Sequence, residues 1–226
     1  MVKEAANRIL GHGDNKKSPI SVDIIKKVID KFTCINASLQ DLRVALMCIL
    51  AFMGFLRFDE LSRIRFSDIV IQQEFVKIFI ERSKTDVYRD GHWLYISSLN
   101  SNYCPVRILR CYLAKAKFSE YSDKYIFRAI TRNKVESKRI LKKTNRPLSY
   151  TTTRAIILQA FRSVGEEVSA LGVHSLRAGG ATAAANCGVP DRLFKKHGRW
   201  LSDKSKDRYV SEDIRNKLFV SKNLGL

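Results

Sequence analysis

The sequence predicts a mostly helical domain carrying one small antiparallel three-stranded β-sheet, an α+β arrangement. Three observations lead there. Apolar residues recur at helical spacing up to about position 66 and again from Thr151 onward. Between Asp68 and Leu99 the period drops to two. Hydrophobic residues make up 45% of 226 residues, enough for a buried core in a chain of this length.

Taken in order, Met1 to Leu10 reads as the end of a helix, and Gly11-His12-Gly13-Asp14-Asn15-Lys16-Lys17 has the content of a linker. Residues 1–17 are therefore expected to be a tail or interdomain linker, and 18–226 one domain. Ser18-Pro19-Ile20-Ser21 opens a helix to about Phe32, with Ser21 as the cap and Val22, Ile24, Ile25, Val28 and Ile29 at helical spacing. Ser38 starts a second helix through Leu42, Ala45, Leu46, Ile49, Leu50 and Met53, apolar nearly all round and so expected in the core. Val76, Ile78 and Ile80 alternate with Lys77, Phe79 and Glu81 in one strand, Trp93 to Ile96 form the returning strand, and a turn is expected around Ser83 to Gly91. Pro105 begins a further helix through Ile108, Leu109 and Leu113. Arg128 to Arg146, crowded with basic residues and poor in apolar anchors, reads as an exposed loop. Helices are then expected from Thr152 to Val164, from about Leu176 to Asn186 with Gly188 stopping it, after Pro190, and around Lys204 to Val210 and Glu212 to Val220.

Lysine and arginine number 41 against 22 acidic residues, a formal net charge of +19. A neutral-substrate enzyme has no need of such an excess; a polyanion is the expected partner, and nucleic acid is the usual one. A merely soluble basic protein, or one drawn to anionic lipid, is the competing interpretation. The five cysteines are odd in number and scattered with no C-x-x-C pair, so neither a disulfide framework nor a zinc site is indicated. No metal and no cofactor is expected. The longest apolar run, Val44 to Leu56, is short of the roughly 20 residues that cross a bilayer, and no N-terminal signal precedes it. The sequence thus predicts a soluble intracellular protein with no membrane partner.

Phosphodiester transfer needs an attacking oxygen, cations fixed on the non-bridging oxygens and a proton donor for the leaving oxygen. Four places offer such parts. Arg57 sits at the end of a core helix and finds Glu60 three residues on; a plain ion pair serving structure is the alternative. Lys84, in Arg82-Ser83-Lys84-Thr85-Asp86, can donate a proton from the strand turn, or simply be solvated there. His174 and Arg177 share one face at a helix start, where free N–H groups favour phosphate, while Gly179, Gly180 and the alanines after them let the helix pack closely. Trp200 in Gly198-Arg199-Trp200 precedes Tyr209, whose phenol is a nucleophile once its proton is taken or its phenolate is met by positive charge. Either aromatic taken alone reads as a packing residue. For binding, Lys138, Arg139, Lys142, Lys143, Arg146, Thr151, Arg154, Lys195, Lys196 and Arg199 are the candidate phosphate contacts.

In this order and spacing, Arg57, Lys84, His174 with Arg177, Trp200 and Tyr209 resemble the tyrosine recombinase (phage integrase) family from about Ser18 to the C-terminus. The resemblance implies the fold of that family's catalytic domain for residues 18–226. It implies that Arg57 and Arg177 clamp the scissile phosphate of double-stranded DNA, that Lys84 protonates the leaving 5′ oxygen and that His174 assists in proton transfer or phosphate binding. Trp200 would stand where relatives have histidine or tryptophan, donating its indole N–H, and Tyr209 would become joined to the 3′ phosphate with no need of ATP or metal. It implies a homo-tetramer in a DNA synapse and a monomer or weak oligomer without DNA. The stretch from Gly198 to Tyr209 and the ending Ser221 to Leu226 look like the eukaryotic mobile-element branch, such as Crypton or DIRS-type transposons, which would place the protein in the nucleus. The family's separate N-terminal DNA-clamping domain is not seen in this sequence. A type IB topoisomerase-like relaxation of DNA and a domesticated, non-catalytic DNA-binding module remain the alternatives.

Overall fold

The computed structural model describes residues 17–81, 90–119, 121–133, 138–207, 209–210 and 218. The expected tail up to residue 16, most of the turn around Ser83 to Gly91, and all of the last expected helix but Leu218 lie outside them.

Serine caps set the first two helices. In α1 (Val22–Phe32) the Ser21 hydroxyl accepts the Ile24 N–H at 3.3 Å. In α2 (Leu39–Met53) the cap is reciprocal: Ser38 Oγ accepts from the Asp41 N–H at 3.2 Å, and Asp41 Oδ2 accepts from the Ser38 N–H at 2.8 Å. Each such cap is worth about 1 kcal/mol. As its all-round apolar sequence demands, α2 is buried on nearly every face, with α1 packed on one side.

Short α3 (Phe58–Ser62) and a 3-10 turn (Phe66–Asp68) lead into the sheet, β1 (Ile69–Ile71), β2 (Phe75–Ile80) and β3 (His92–Ser97), antiparallel in the order β1-β2-β3. The register sets Ile78 opposite both Ile69 and Leu94, and Val76 opposite Ile96. Val76, Ile78, Ile80, Leu94 and Ile96 therefore face the core, while Phe79, Trp93 and Tyr95 lie on the other face. Next comes α4 (Pro105–Lys115), with proline in its first turn, packed on α2.

One expectation fails after α4. The basic stretch is not an open loop: β4 (Ile130–Arg132) and β5 (Arg139–Leu141) pair as a hairpin with Ile130 opposite Leu141. Its base is fixed by Arg128, whose buried guanidinium donates to the carbonyls of Tyr125 (3.0 Å) and Lys142 (2.7 Å). A charge pattern that reads as solvated surface thus hides one arginine that satisfies main-chain oxygens.

The remaining helices are α5 (Tyr150–Ser163), α6 (Val173–Asn186), α7 (Asp191–Gly198) and α8 (Asp203–Asp207). Two begin earlier than their apolar spacing suggests. The Ser149 hydroxyl caps α5 by accepting the Thr152 N–H at 3.2 Å. Extended Gly172 caps α6, its N–H donating to Ser175 Oγ at 3.1 Å, so His174 sits inside the first turn. The small residues of α6 do serve close packing. A Cβ on Gly179 would run into the Ile20 carbonyl, and one on Gly180 into the Phe52 carbonyl. That contact brings α6 against the end of α2, and with it Arg177 against Arg57. Among the described residues no helix is long and apolar enough to cross a membrane.

Candidate active site

The site forms where α2 ends. Gly54 closes that helix, and Phe55 takes a left-handed conformation (φ 47°), which a residue with a Cβ adopts at a cost of about 1–2 kcal/mol. The reversal points the Phe55 carbonyl inward and delivers Arg57 to the N-terminus of α3. Contrary to the sequence-based expectation, Arg57 is not the tail of the core helix but the residue that caps α3 (Phe58–Ser62). Glu60, one turn on, accepts the Arg57 main-chain N–H at 2.8 Å with Oε2 and the Arg57 Nη1 at 2.8 Å with Oε1.

Glu60 is shared by more than the one arginine that sequence spacing gives it. It is 4% exposed, and its Oε2 also accepts from Arg199 Nη2 at 2.9 Å, while Arg177 Nη1 stands 4.0 Å away. Burial pushes the Glu60 carboxyl up, but Arg199, the Arg57 N–H and the charges of Arg57 and Arg177 outweigh it, and the carboxyl titrates below its ordinary value. One carboxylate thus sits among the cations of Arg57, Arg177 and Arg199, leaving a local surplus of positive charge.

Arg177, from α6, is 0% exposed. Its Nη1 donates to the Phe55 carbonyl, and its Nη2 donates to the Gly198 carbonyl at 2.8 Å. Its Cζ lies 4.7 Å from the Trp200 ring centroid and 4.8 Å from that of Tyr209, two rings that pack on each other at 5.6 Å. Burial first, and the neighbouring Arg57 next, lower its pKa to about 9, with Glu60 opposing; it stays charged at neutral pH. Its Nε and the Trp200 indole N–H are both buried with no acceptor among the described residues.

Trp200 is held in an aromatic cluster with Phe55 (5.9 Å), Phe194 (5.0 Å) and Tyr209 (5.6 Å). Gly198 leaves room for it, since a Cβ there would meet the indole ring. Tyr209 is half-buried, its main-chain N–H donating to the Lys206 carbonyl at 2.9 Å and its carbonyl accepting from Thr182 Oγ1 at 3.2 Å. His174 is exposed, yet partial desolvation, then Arg177 and Arg57, lower its pKa, so it faces the same positive field as a neutral imidazole.

The fold therefore gathers Arg57, Glu60, His174, Arg177, Trp200 and Tyr209 from four separate stretches of chain. Lys84 lies outside the described residues. His92, where the chain re-enters the sheet after Lys84, has its pKa lowered by burial and then by Arg199 and Lys196, which sets the start of β3 beside the site.

Among the candidate phosphate contacts, Lys138, Arg139, Lys142, Lys143 and Arg146 are exposed along and after β5, and Thr151 and Arg154 are exposed at the start of α5. That helix start abuts the site, the Tyr150 ring meeting Phe58 edge-on at 5.2 Å. Lys196 is exposed, and Lys195 pairs with Asp203 at 3.0 Å. Arg199 does not fit the expectation of a surface contact. It is 8% exposed and turned inward on Glu60, because it closes α7 in a left-handed conformation that aims its side chain at the elbow after α2. Sequence reasoning also missed the Phe55 carbonyl and His197, whose Nε2 meets the Met53 carbonyl at 2.7 Å; no local signal marks either. Among the described residues no cluster of histidine, cysteine and carboxylate side chains could hold a metal.

Known proteins share this fold. The model of the phage integrase family matches residues 23–215. An integrase/recombinase XerD homolog of Selenomonas ruminantium is 30% identical over 209 residues, 92% of this chain and 58% of that protein, so the chain spans little more than half of its relative. The fold matches the XerH site-specific recombinase in a post-cleavage complex with its palindromic difH substrate (TM-score 0.68, 13% identity, 92% of this chain and 53% of that one). It also matches XerA recombinase (TM-score 0.66, 14% identity, 94% and 66%) and a lambda integrase dimer bound to a core site (TM-score 0.55, 18% identity, 87% and 48%). A helical domain of this topology, matched over most of its length by the family model, makes the chain a member of the phage integrase family.

Proposed function

We propose that this chain is the strand-cleaving domain of a tyrosine recombinase, breaking and rejoining double-stranded DNA through a covalent link between Tyr209 and a 3′ phosphate. The observation that carries the reading is the pair of buried donors, Arg177 Nε and Trp200 Nε1, lacking acceptors inside a cluster with surplus positive charge. An orphaned buried N–H costs about 1–3 kcal/mol, and a non-bridging phosphate oxygen satisfies two such donors at once.

In this reading Arg57, whose side chain is 15% exposed, meets the phosphate from the open side and Arg177 from beneath. The Tyr209 phenolic oxygen attacks phosphorus and loses its proton with help from His174. The bond from phosphorus to the 5′ oxygen breaks, and Lys84 gives that oxygen its proton. The phosphotyrosyl ester keeps the energy of the broken bond, so rejoining reverses the same steps. DNA as the substrate is supported by the +19 charge, by the exposed basic hairpin and by the DNA complexes of the XerH and lambda relatives. A tetrameric synapse is supported by the lambda integrase tetramer bound to a Holliday junction, and a mobile-element source by the stretch from Gly198 to Tyr209 and the ending Ser221 to Leu226.

The test is a duplex nicked so that the cleaved end diffuses away. The parent protein is expected to yield a denaturant-resistant protein–DNA adduct, absent in Tyr209→Phe. Equal adduct from that variant would remove Tyr209 from the reaction.

A further inference from the structure

Arg199 is spent where the backbone would favour another residue. It is the left-handed residue (φ 57°, ψ 39°) closing α7, its N–H donating to the Lys196 carbonyl at 3.2 Å and the next N–H, of Trp200, to the Lys195 carbonyl at 3.1 Å. Glycine takes this position at no steric cost; a residue with a Cβ is disfavoured there by about 1–2 kcal/mol. What the arginine gains is a buried fan of hydrogen bonds. Its Nη1 donates to the His197 carbonyl at 2.9 Å, and its Nη2 to the Phe55 carbonyl at 3.0 Å and to Glu60 Oε2 at 2.9 Å; both lie 3.3 Å from the Gly54 carbonyl. It therefore bridges the end of α7, which leads to Trp200 and Tyr209, and the elbow that presents Arg57.

We propose that Arg199 is a positioning residue that occupies Glu60 so that Arg177 does not. Glu60 Oε2 already accepts from Arg199 and from the Arg57 main chain, and Arg177 Nη1, at 4.0 Å, is beyond hydrogen-bond reach of it. Without the Arg199 guanidinium, that buried oxygen keeps only the Arg57 main-chain N–H, and with the Arg57 side chain already engaged on Oε1, Arg177, 4.0 Å away, is the cation drawn to it. It would close on Glu60 in a tight ion pair and leave the Phe55 carbonyl. Arg199 thus acts through Arg177, keeping that arginine from being consumed by the protein's own carboxylate. Lysine cannot replace it, since one ammonium reaches Glu60 or the elbow carbonyls but lacks the planar fork that spans both.

The proposal rests on the strand-cleaving reading for its consequence but not for its geometry, and the experiment separates the two. Arg199→Gly relieves the left-handed residue, and its crystal structure is expected to show Arg177 Nη1 within hydrogen-bond distance of Glu60 Oε2. An Arg177 left where it is now overturns the proposal, whether or not the parent protein cleaves DNA. In single-turnover cleavage of the nicked duplex, Arg199→Lys and Arg199→Gly are expected to lose roughly 10- to 100-fold in rate at unchanged DNA affinity, the scale of a misplaced catalytic group. Replacing one non-bridging oxygen of the scissile phosphate by methyl removes the charge that Arg177 serves, so the variants' deficit should shrink on that substrate. Full cleavage rates in both variants, or an equal deficit on both substrates, overturn the proposal. An absence of adduct from the parent protein would overturn the strand-cleaving reading instead, with the crystal structure still deciding Arg199.

Discussion

The phenol ring of Tyr209 lies over the guanidinium of Arg177, 4.8 Å from ring centroid to Cζ, while the indole of Trp200 lies 4.7 Å from the same carbon. The residue assigned the attack thus covers the cation assigned the phosphate. Phenylalanine keeps the ring and this contact, so Tyr209→Phe is expected to unfold in urea within about 0.5 kcal/mol of the parent. Tyr209→Ala is expected to lose about 1–3 kcal/mol of cation–π and packing energy. Equal midpoints for the parent and both variants would show that the ring does not rest on Arg177 in solution.

Glu60 offers the next test. With its carboxylate exchanged for an amide in Glu60→Gln, Arg57, Arg177 and Arg199 face one another without a counter-charge. Breaking a buried ion pair from one side costs about 3–5 kcal/mol, and a loss of that size is expected in the urea midpoint. An unchanged midpoint would show that the arginines do not depend on its charge.

Acid should weaken the fold in a defined window. Burial lowers His174, His197 and His92 below the ordinary 6.5, each helped by neighbouring cations. Between the folded values and 6.5 the unfolded chain therefore binds more protons, so stability falls as pH drops below about 6.5. Glu60, depressed below 4.5, adds a second loss at lower pH, as its carboxylate is protonated. The melting temperature is expected to be flat from about pH 8 to 7 and to decline toward pH 5. His197→Gln, which keeps a donor for the Met53 carbonyl but does not titrate, should flatten part of that decline. A melting temperature that rises on acidification contradicts the assignment.

Basic residues of the hairpin region should behave in two opposite ways. Arg128 ties the Tyr125 and Lys142 carbonyls together and lies over the Phe118 ring, so Arg128→Ala is expected to destabilise the fold by about 2–4 kcal/mol. Lys142 and Lys143 are exposed. Alanine at either should leave the melting temperature alone and reduce the slope of log affinity against log salt by about one, as read by fluorescence anisotropy on duplex DNA. An unchanged slope in the Lys142→Ala, Lys143→Ala double variant would take the hairpin out of the DNA interface.

What could be read in advance follows a physical division. Ser21 and Ser38 announce their helices because a cap and the turn it serves lie within three residues of each other. The sheet was legible because alternation of burial is a property of the strand alone. The linear order of Arg57, Arg177, Trp200 and Tyr209 was legible too, since it survives without coordinates. Arg199 and Arg128 were not. An arginine beside other charges gives no local sign of being turned inward, and its partners are main-chain carbonyls, which every residue carries. The hairpin escaped for a related reason: Ile130, Ile140 and Leu141 are too few to show a period among so many charges. Glu60 was seen with one arginine because its other partners arrive from sequence positions more than 100 residues away.

That last separation has a bearing on how the molecule comes into being. The bond from Arg199 to Glu60 spans 139 positions, and the one from Arg177 to the Phe55 carbonyl spans 122. A ribosome making this chain releases the elbow and its carboxylate long before the helices that complete the pocket emerge. Until α7 has docked, a nascent copy holds a glutamate paired with Arg57 and not yet with Arg199. The order of synthesis thus delays assembly of the arginine cluster around Glu60 until α7 has left the ribosome.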